Sequence, residues 1–114
     1  MNININKVKI SVTIPKESTL KVRDELFKAG AGTLSKSNYT CCSTTIDSLG
    51  TFLPNSNAKP YIGEANKLEI VKEDKLEVIC EIGKTKEVIK RLREVHPYEE
   101  PAIDIIPLID ECDL

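Results

Sequence analysis

The chain has 114 residues, enough for one domain with a modest core and no need of disulfide or metal staples. Its 16 basic and 18 acidic side chains give a formal charge of −2, which speaks against the basic stripe of a nucleic-acid-binding surface. No apolar run approaches the roughly 18 residues of a membrane span. The start, Met1-Asn2-Ile3-Asn4-Ile5-Asn6, lacks the charged and apolar segments of a signal peptide. These features predict a cytoplasmic protein with no membrane or nucleic-acid partner. Cys41, Cys42, Cys80 and Cys112 show no C-x-x-C spacing and are expected as reduced thiols.

Val8, Ile10, Val12 and Ile14 alternate with Lys9, Ser11 and Thr13, the pattern of a half-buried strand that Pro15 stops. Ile3 and Ile5 fall on the opposite parity, which predicts a bulge or frayed start near Lys7. Ser18 or Thr19 is expected to cap a helix to about Ala29, with Leu20, Val22, Leu26, Phe27 and Ala29 on its buried face. Gly30-Ala31-Gly32 ends it, because glycine tolerates the left-handed conformation of helix ends. Tyr39 to Asp47 is rich in tyrosine and β-branched residues and predicts a second strand.

Residues 48–65 carry Gly50, Pro54, Asn55, Asn57, Pro60 and Gly63 and are expected as a long loop of functional or interface character. Leu68–Lys72 and Leu76–Ile82 are expected as two strands joined by a short connection at Glu73-Asp74-Lys75. Thr85 is expected to cap a second helix whose Val88, Ile89, Leu92 and Val95 form an apolar stripe. Pro97 closes this helix by biasing His96 away from helical geometry. Ala102–Ile106 is a last strand, ended by Pro107, before an acidic tail. The order predicts an α+β, ferredoxin-like split β-α-β sandwich, with two helices on one face of an antiparallel sheet. Its other face would present Lys9, Ser11, Thr13, Glu77, Ile79, Glu81 and Asp104.

The run His96-Pro97-Tyr98-Glu99-Glu100-Pro101 does not look like core. It gathers the only histidine of the chain, two adjacent carboxylates and two of the six prolines. Followed by Ala102-Ile103-Asp104-Ile105 and Pro107-Leu108, it resembles the H-P-Y-E-E-P-A-x-D-I-x-P-L signature of the Nif-three-like family, whose long bacterial members carry the name of type-two GTP cyclohydrolase I homologues. Gly30-Ala31-Gly32, Tyr39 with Cys42-Ser43, Gly50-Thr51-Phe52 with Pro54, and Pro60 with Ile62-Gly63 agree in order. Glu69, Glu73 and Glu77 fall where that family tends to be acidic, while Thr44 and Asn57 depart from its pattern.

The resemblance covers the domain inserted in long members, a CutA/PII-like module that also occurs alone. It therefore implies a stand-alone CutA/PII-like domain over residues 1–114, self-associating as a trimer or, second, a dimer. The histidines and flanking domains that build the long members' two-metal site have no counterpart in the chain, so the cyclohydrolase activity is not expected of it.

The residues leave two readings of the site open. In the first, a non-catalytic ligand-binding or regulatory module holds a small molecule with His96, Tyr98, Glu99, Glu100, Phe52 and Tyr61, the long loop acting as a flap or a subunit contact. In the second, His96 with Glu99 or Glu100 and Cys42 binds a divalent metal, zinc or copper. The bland account of the same turn lets His96 finish the helix, Tyr98 pack and the glutamates pair with nearby lysine or arginine. Adjacent Cys41 and Cys42 on a strand would face opposite ways, one to the core and one outward. There is no G-x-x-x-x-G-K-[ST] loop and no legible nucleophile–base pair, which argues against an enzyme.

Overall fold

The computed structural model describes residues 3–114. Strands β1 (Lys7–Pro15), β2 (Ser43–Phe52), β3 (Glu69–Glu81) and β4 (Ile103–Leu108) form one sheet in the order β2-β3-β1-β4. Every neighbouring pair is antiparallel. Helices α1 (Thr19–Lys28) and α2 (Ile82–Val95) connect β1 to β2 and β3 to β4. This is the ferredoxin-like arrangement, with β2 and β4 as outer strands.

The alternation of β1 decides which face is dry. Val8, Ile10, Val12 and Ile14 are buried, and the register sets Val8 against Cys80, Ile10 against Val78 and Val12 against Leu76. Val22 and Leu26 of α1 and Val88 and Leu92 of α2 complete the same cluster, so both helices cover one face. Leu92 is fully buried, and truncation to alanine at such a position costs about 2–5 kcal/mol. On the open face Lys9 pairs with Glu77 at 3.5 Å, and Asp104 is exposed. Ser11 shares this open face, as its parity predicts, but is buried there, being short and flanked in register by the longer Glu77 and Asp104.

Several expected boundaries move. Glu73-Asp74-Lys75 is not a turn: β3 runs unbroken through it for 13 residues, pairing with β2 over Glu69–Val78 and with β1 over Glu73–Glu81. Three polar residues fit inside the strand because each has a local reason to be there. Asp74 accepts from Thr19 Oγ1 at 2.7 Å and pairs with Lys16 at 2.8 Å, Lys75 is exposed, and Glu73 reaches into a cavity. The second strand starts later than expected and continues through Gly50 to Phe52, so the long loop is 53–68.

Cys41 and Cys42 therefore precede β2, and both are exposed; Cys41 has φ +55°, so strand alternation does not govern them. Leu20 is 64% exposed, on the solvent side of α1. Ser18 makes no side-chain cap, since a 3-10 turn at Lys16–Ser18 leads into α1 and the Thr19 hydroxyl is spent on Asp74. Helix α2 begins at Ile82, and Thr85 donates back to the Glu81 carbonyl at 2.9 Å instead of capping. Pro107 lies within β4, which a proline tolerates because β4 is an edge strand. Residues 3–6 stay outside the sheet, as the frayed start predicts.

Candidate functional site

The crossover from α2 to β4 is built around His96. Pairing of β1 with β4 ends at Val12 and Ile103, so β4 no longer reaches the next β1 carbonyl, that of Thr13. The His96 ring takes it over: Nε2 donates to Thr13 O at 2.8 Å, and Nδ1 accepts from the Tyr98 backbone N–H at 3.1 Å. The two bonds require the neutral imidazole with its proton on Nε2. Burial lowers the His96 pKa below the ordinary imidazole value, outweighing the upward pull of the Thr13 carbonyl and the Glu73 carboxylate.

This anchoring aims Tyr98 across the sheet end. Its hydroxyl donates to Glu73 Oε2 at 2.6 Å. Burial, and after it the Glu73 carboxylate, holds the phenol well above its usual pKa, so it stays a donor. Phe52, the last residue of β2, and Tyr61, from the loop, flank Tyr98 with ring centroids at 6.4 Å and 6.2 Å. The loop is tied down at two further points: the Lys59 N–H donates to Glu99 Oε1 at 3.2 Å, and the Tyr61 hydroxyl to Glu17 at 3.4 Å.

Between turn and loop lies a cavity of about 250 Å³. Its walls include Phe52, Tyr61, Tyr98, Glu73, Glu99 and Glu100. Five of these six were expected from the sequence. His96 is not on the wall; it braces the turn from behind.

Glu73, which the sequence offers as an acidic position of a turn and not as a site residue, also lines the cavity. The signal was present: carrying the alternation of Glu77 and Glu81 back along the strand puts Glu73 on the open face. Gly50 makes room for it, since a β-carbon at Gly50 would run into the Glu73 carboxylate.

The expected metal set of His96, Glu99 and Cys42 is not brought together. Both imidazole nitrogens are already in hydrogen bonds. Cys42 lies beside Gly32, whose N–H bonds Ile79 O, while His96 is level with Thr13 and Lys75. That separates them by roughly 13 Å or more along the sheet. Among the described residues no group of three or more His, Cys, Asp or Glu side chains is placed to hold a metal ion.

No family model matches the chain. Among curated proteins it is 40% identical over 103 residues to the GTP cyclohydrolase 1 type 2 homolog of Halalkalibacterium halodurans, covering 90% of the chain and 27% of that protein. It is 41% identical over 100 residues to the Bacillus subtilis protein of the same name, covering 88% of the chain and 26% of the relative. Among solved structures, a Bacillus cereus protein related to NIF3 superposes with a TM-score of 0.77 at 33% identity, over 94% of the chain and 27% of that protein. The chain is a relative of the Nif-three-like proteins.

The chain spans about a quarter of the length of these relatives, and the remainder of each of them lies outside the match. CutA1 from Pyrococcus horikoshii has the same fold, with a TM-score of 0.67 at 23% identity over 90% of the chain and 84% of that protein. Among the described residues no helix is long and apolar enough to cross a membrane.

Proposed function

We propose that this Nif-three-like, CutA-like domain is a non-catalytic ligand-binding or regulatory module that associates with copies of itself, as a trimer. The observation that carries the reading is the convergence of the 96–101 turn and the 53–68 loop on one aromatic-lined cavity. Small-molecule sites are typically concave and mostly apolar, with a few placed polar groups. At about 250 Å³ the cavity suits a small ligand or one end of a larger one.

Self-association has its own support. Both outer strands hold apolar side chains in solvent, Ile46 and Leu49 on β2 and Ile105 and Ile106 on β4. Open strand edges with exposed apolar residues are surfaces that proteins ordinarily cover. A non-catalytic role accords with His96, whose nitrogens are held by backbone groups and so are not free to activate a neighbouring hydroxyl or thiol. The activity in the relatives' name is not carried over to this chain. A cytoplasmic setting, where its four free thiols stay reduced, completes the proposal.

A thermal-shift screen of small metabolites against the wild type and Phe52→Ala, run with sedimentation equilibrium, tests both halves. Hits that lose their effect in Phe52→Ala, and a trimer mass, are the expected results. Absence of any variant-sensitive hit would overturn the binding role, and a strict monomer at several hundred micromolar the assembly.

A further inference from the structure

We propose that the cavity binds an organic cation, an alkylammonium or quaternary ammonium group on a compact apolar body. The inference deepens the ligand-binding reading above and rests on it.

Glu73, Glu99 and Glu100 line the cavity, and among the described residues none of its walls is lysine, arginine or histidine. An anionic ligand, such as a phosphate ester, would meet carboxylates and no counter-charge.

Glu73 itself lacks a counter-charge. It is only 4% exposed, and among the described residues no lysine or arginine pairs with it. The Tyr98 hydroxyl bonds Oε2, while Oε1 lies over the bare backbone of Gly50. Glu73 thus meets one neutral donor and, among the described residues, no cation of the protein, and a carboxylate in such a place favours a cationic partner. A cation entering the cavity supplies the missing charge.

Phe52 and Tyr61 are inclined to Tyr98 by 53° and 50°, so the three rings form angled walls and do not stack flat on one another. Aromatic faces attract cations placed within about 6 Å of their centroids, and cages of such rings suit quaternary ammonium groups. Carboxylate and aromatic walls together select a cation with apolar substituents over a bare metal ion, for which the oxygen and nitrogen donors are not clustered.

The test is a titration of the full chain, followed by amide NMR, with choline, its uncharged carbon isostere 3,3-dimethylbutan-1-ol, and inorganic phosphate. Choline is expected to shift the amides of Thr51, Phe52, Glu73 and Tyr98 and to bind about tenfold or more tightly than the isostere. Glu73→Gln keeps an acceptor for Tyr98 and drops the charge; it should weaken choline by about tenfold or more. Tyr61→Leu, at a half-exposed position outside the core, should weaken it roughly three- to tenfold and stands in should Glu73→Gln fail to fold. Equal binding of the isostere, or phosphate acting at these residues while choline is silent, would overturn the cation and leave the site a binding site. Silence of choline at these amides would overturn the cation, while the binding role itself stands or falls on the metabolite screen above.

Discussion

Tyr98 and Glu73 are 25 residues apart in sequence, and a 2.6 Å hydrogen bond joins the phenol of one to the carboxylate of the other across the open end of the sheet. The crossover turn supplies the donor and the middle of β3 the acceptor. Because Glu73 is buried, the bond fixes both the tilt of the Tyr98 ring and the shape of the cavity it walls.

Gly50 shares in this relationship, since a β-carbon there would occupy the place of Glu73 Oε1. Gly50→Ala should push the carboxylate away from Tyr98 and destabilise the protein by about 1–3 kcal/mol, comparable with Tyr98→Phe, which strands the buried acceptor. In a Glu73→Ala background the glycine substitution should cost no more than about 0.5 kcal/mol. Urea denaturation of the single and double variants measures the coupling. Additive losses would refute the steric link.

His96 should make stability depend on pH. Its pKa is lowered in the folded protein, so between that value and the unfolded value, near 6.5, the unfolded chain binds more protons. Stability therefore rises with pH through this interval; the contribution is full above about pH 6.5 and is lost as the pH falls toward the folded pKa. Protonation also turns Nδ1 from an acceptor into a donor facing the Tyr98 N–H. The melting temperature should fall on acidification below about pH 6.5 in the wild type. In His96→Gln, whose amide can still donate to Thr13 O, that part of the pH dependence should be absent. Parallel melting curves for the two proteins from pH 7.5 to 5.5 would contradict the assignment.

Gly32 and Gly83 should respond in opposite directions to alanine. Gly32 has φ +79°, and an added β-carbon would sit 2.9 Å from the backbone nitrogen and oxygen of Cys42. Its N–H bonds Ile79 O at 2.7 Å and its carbonyl accepts from Cys42 N at 3.0 Å, so the segment cannot step aside without losing this extension of the sheet. Gly32→Ala should cost about 1–3 kcal/mol from backbone strain alone. Gly83, in the first turn of α2, has nothing within 4 Å of such a carbon, and Gly83→Ala should stabilise by roughly 0.5–1 kcal/mol. Thermal unfolding of the two variants is the comparison.

Sequence periodicity determined the alternation of strands and helices apart from the continuity of β3, the dry face of β1 and the apolar stripe of α2. These are local properties: a period of 2 or 3.6 in hydrophobicity identifies a strand or a helix face wherever the rest of the chain lies. The 96–101 signature identified the relatives and most of the cavity wall, because its residues are neighbours in sequence. Only the tertiary structure decided the role of Glu73 and the course of β3 through Glu73-Asp74-Lys75. Three consecutive polar residues look like a turn until Lys16 and Thr19 are found to hold Asp74, and Gly50 and Tyr98 to shape the place of Glu73. The same holds for His96, which sequence composition offers as a metal ligand or a base. Its ring nitrogens are spent on Thr13 and Tyr98 because β4 stops one residue short of covering the Thr13 carbonyl, a gap in the ladder that exists only once the strands have paired.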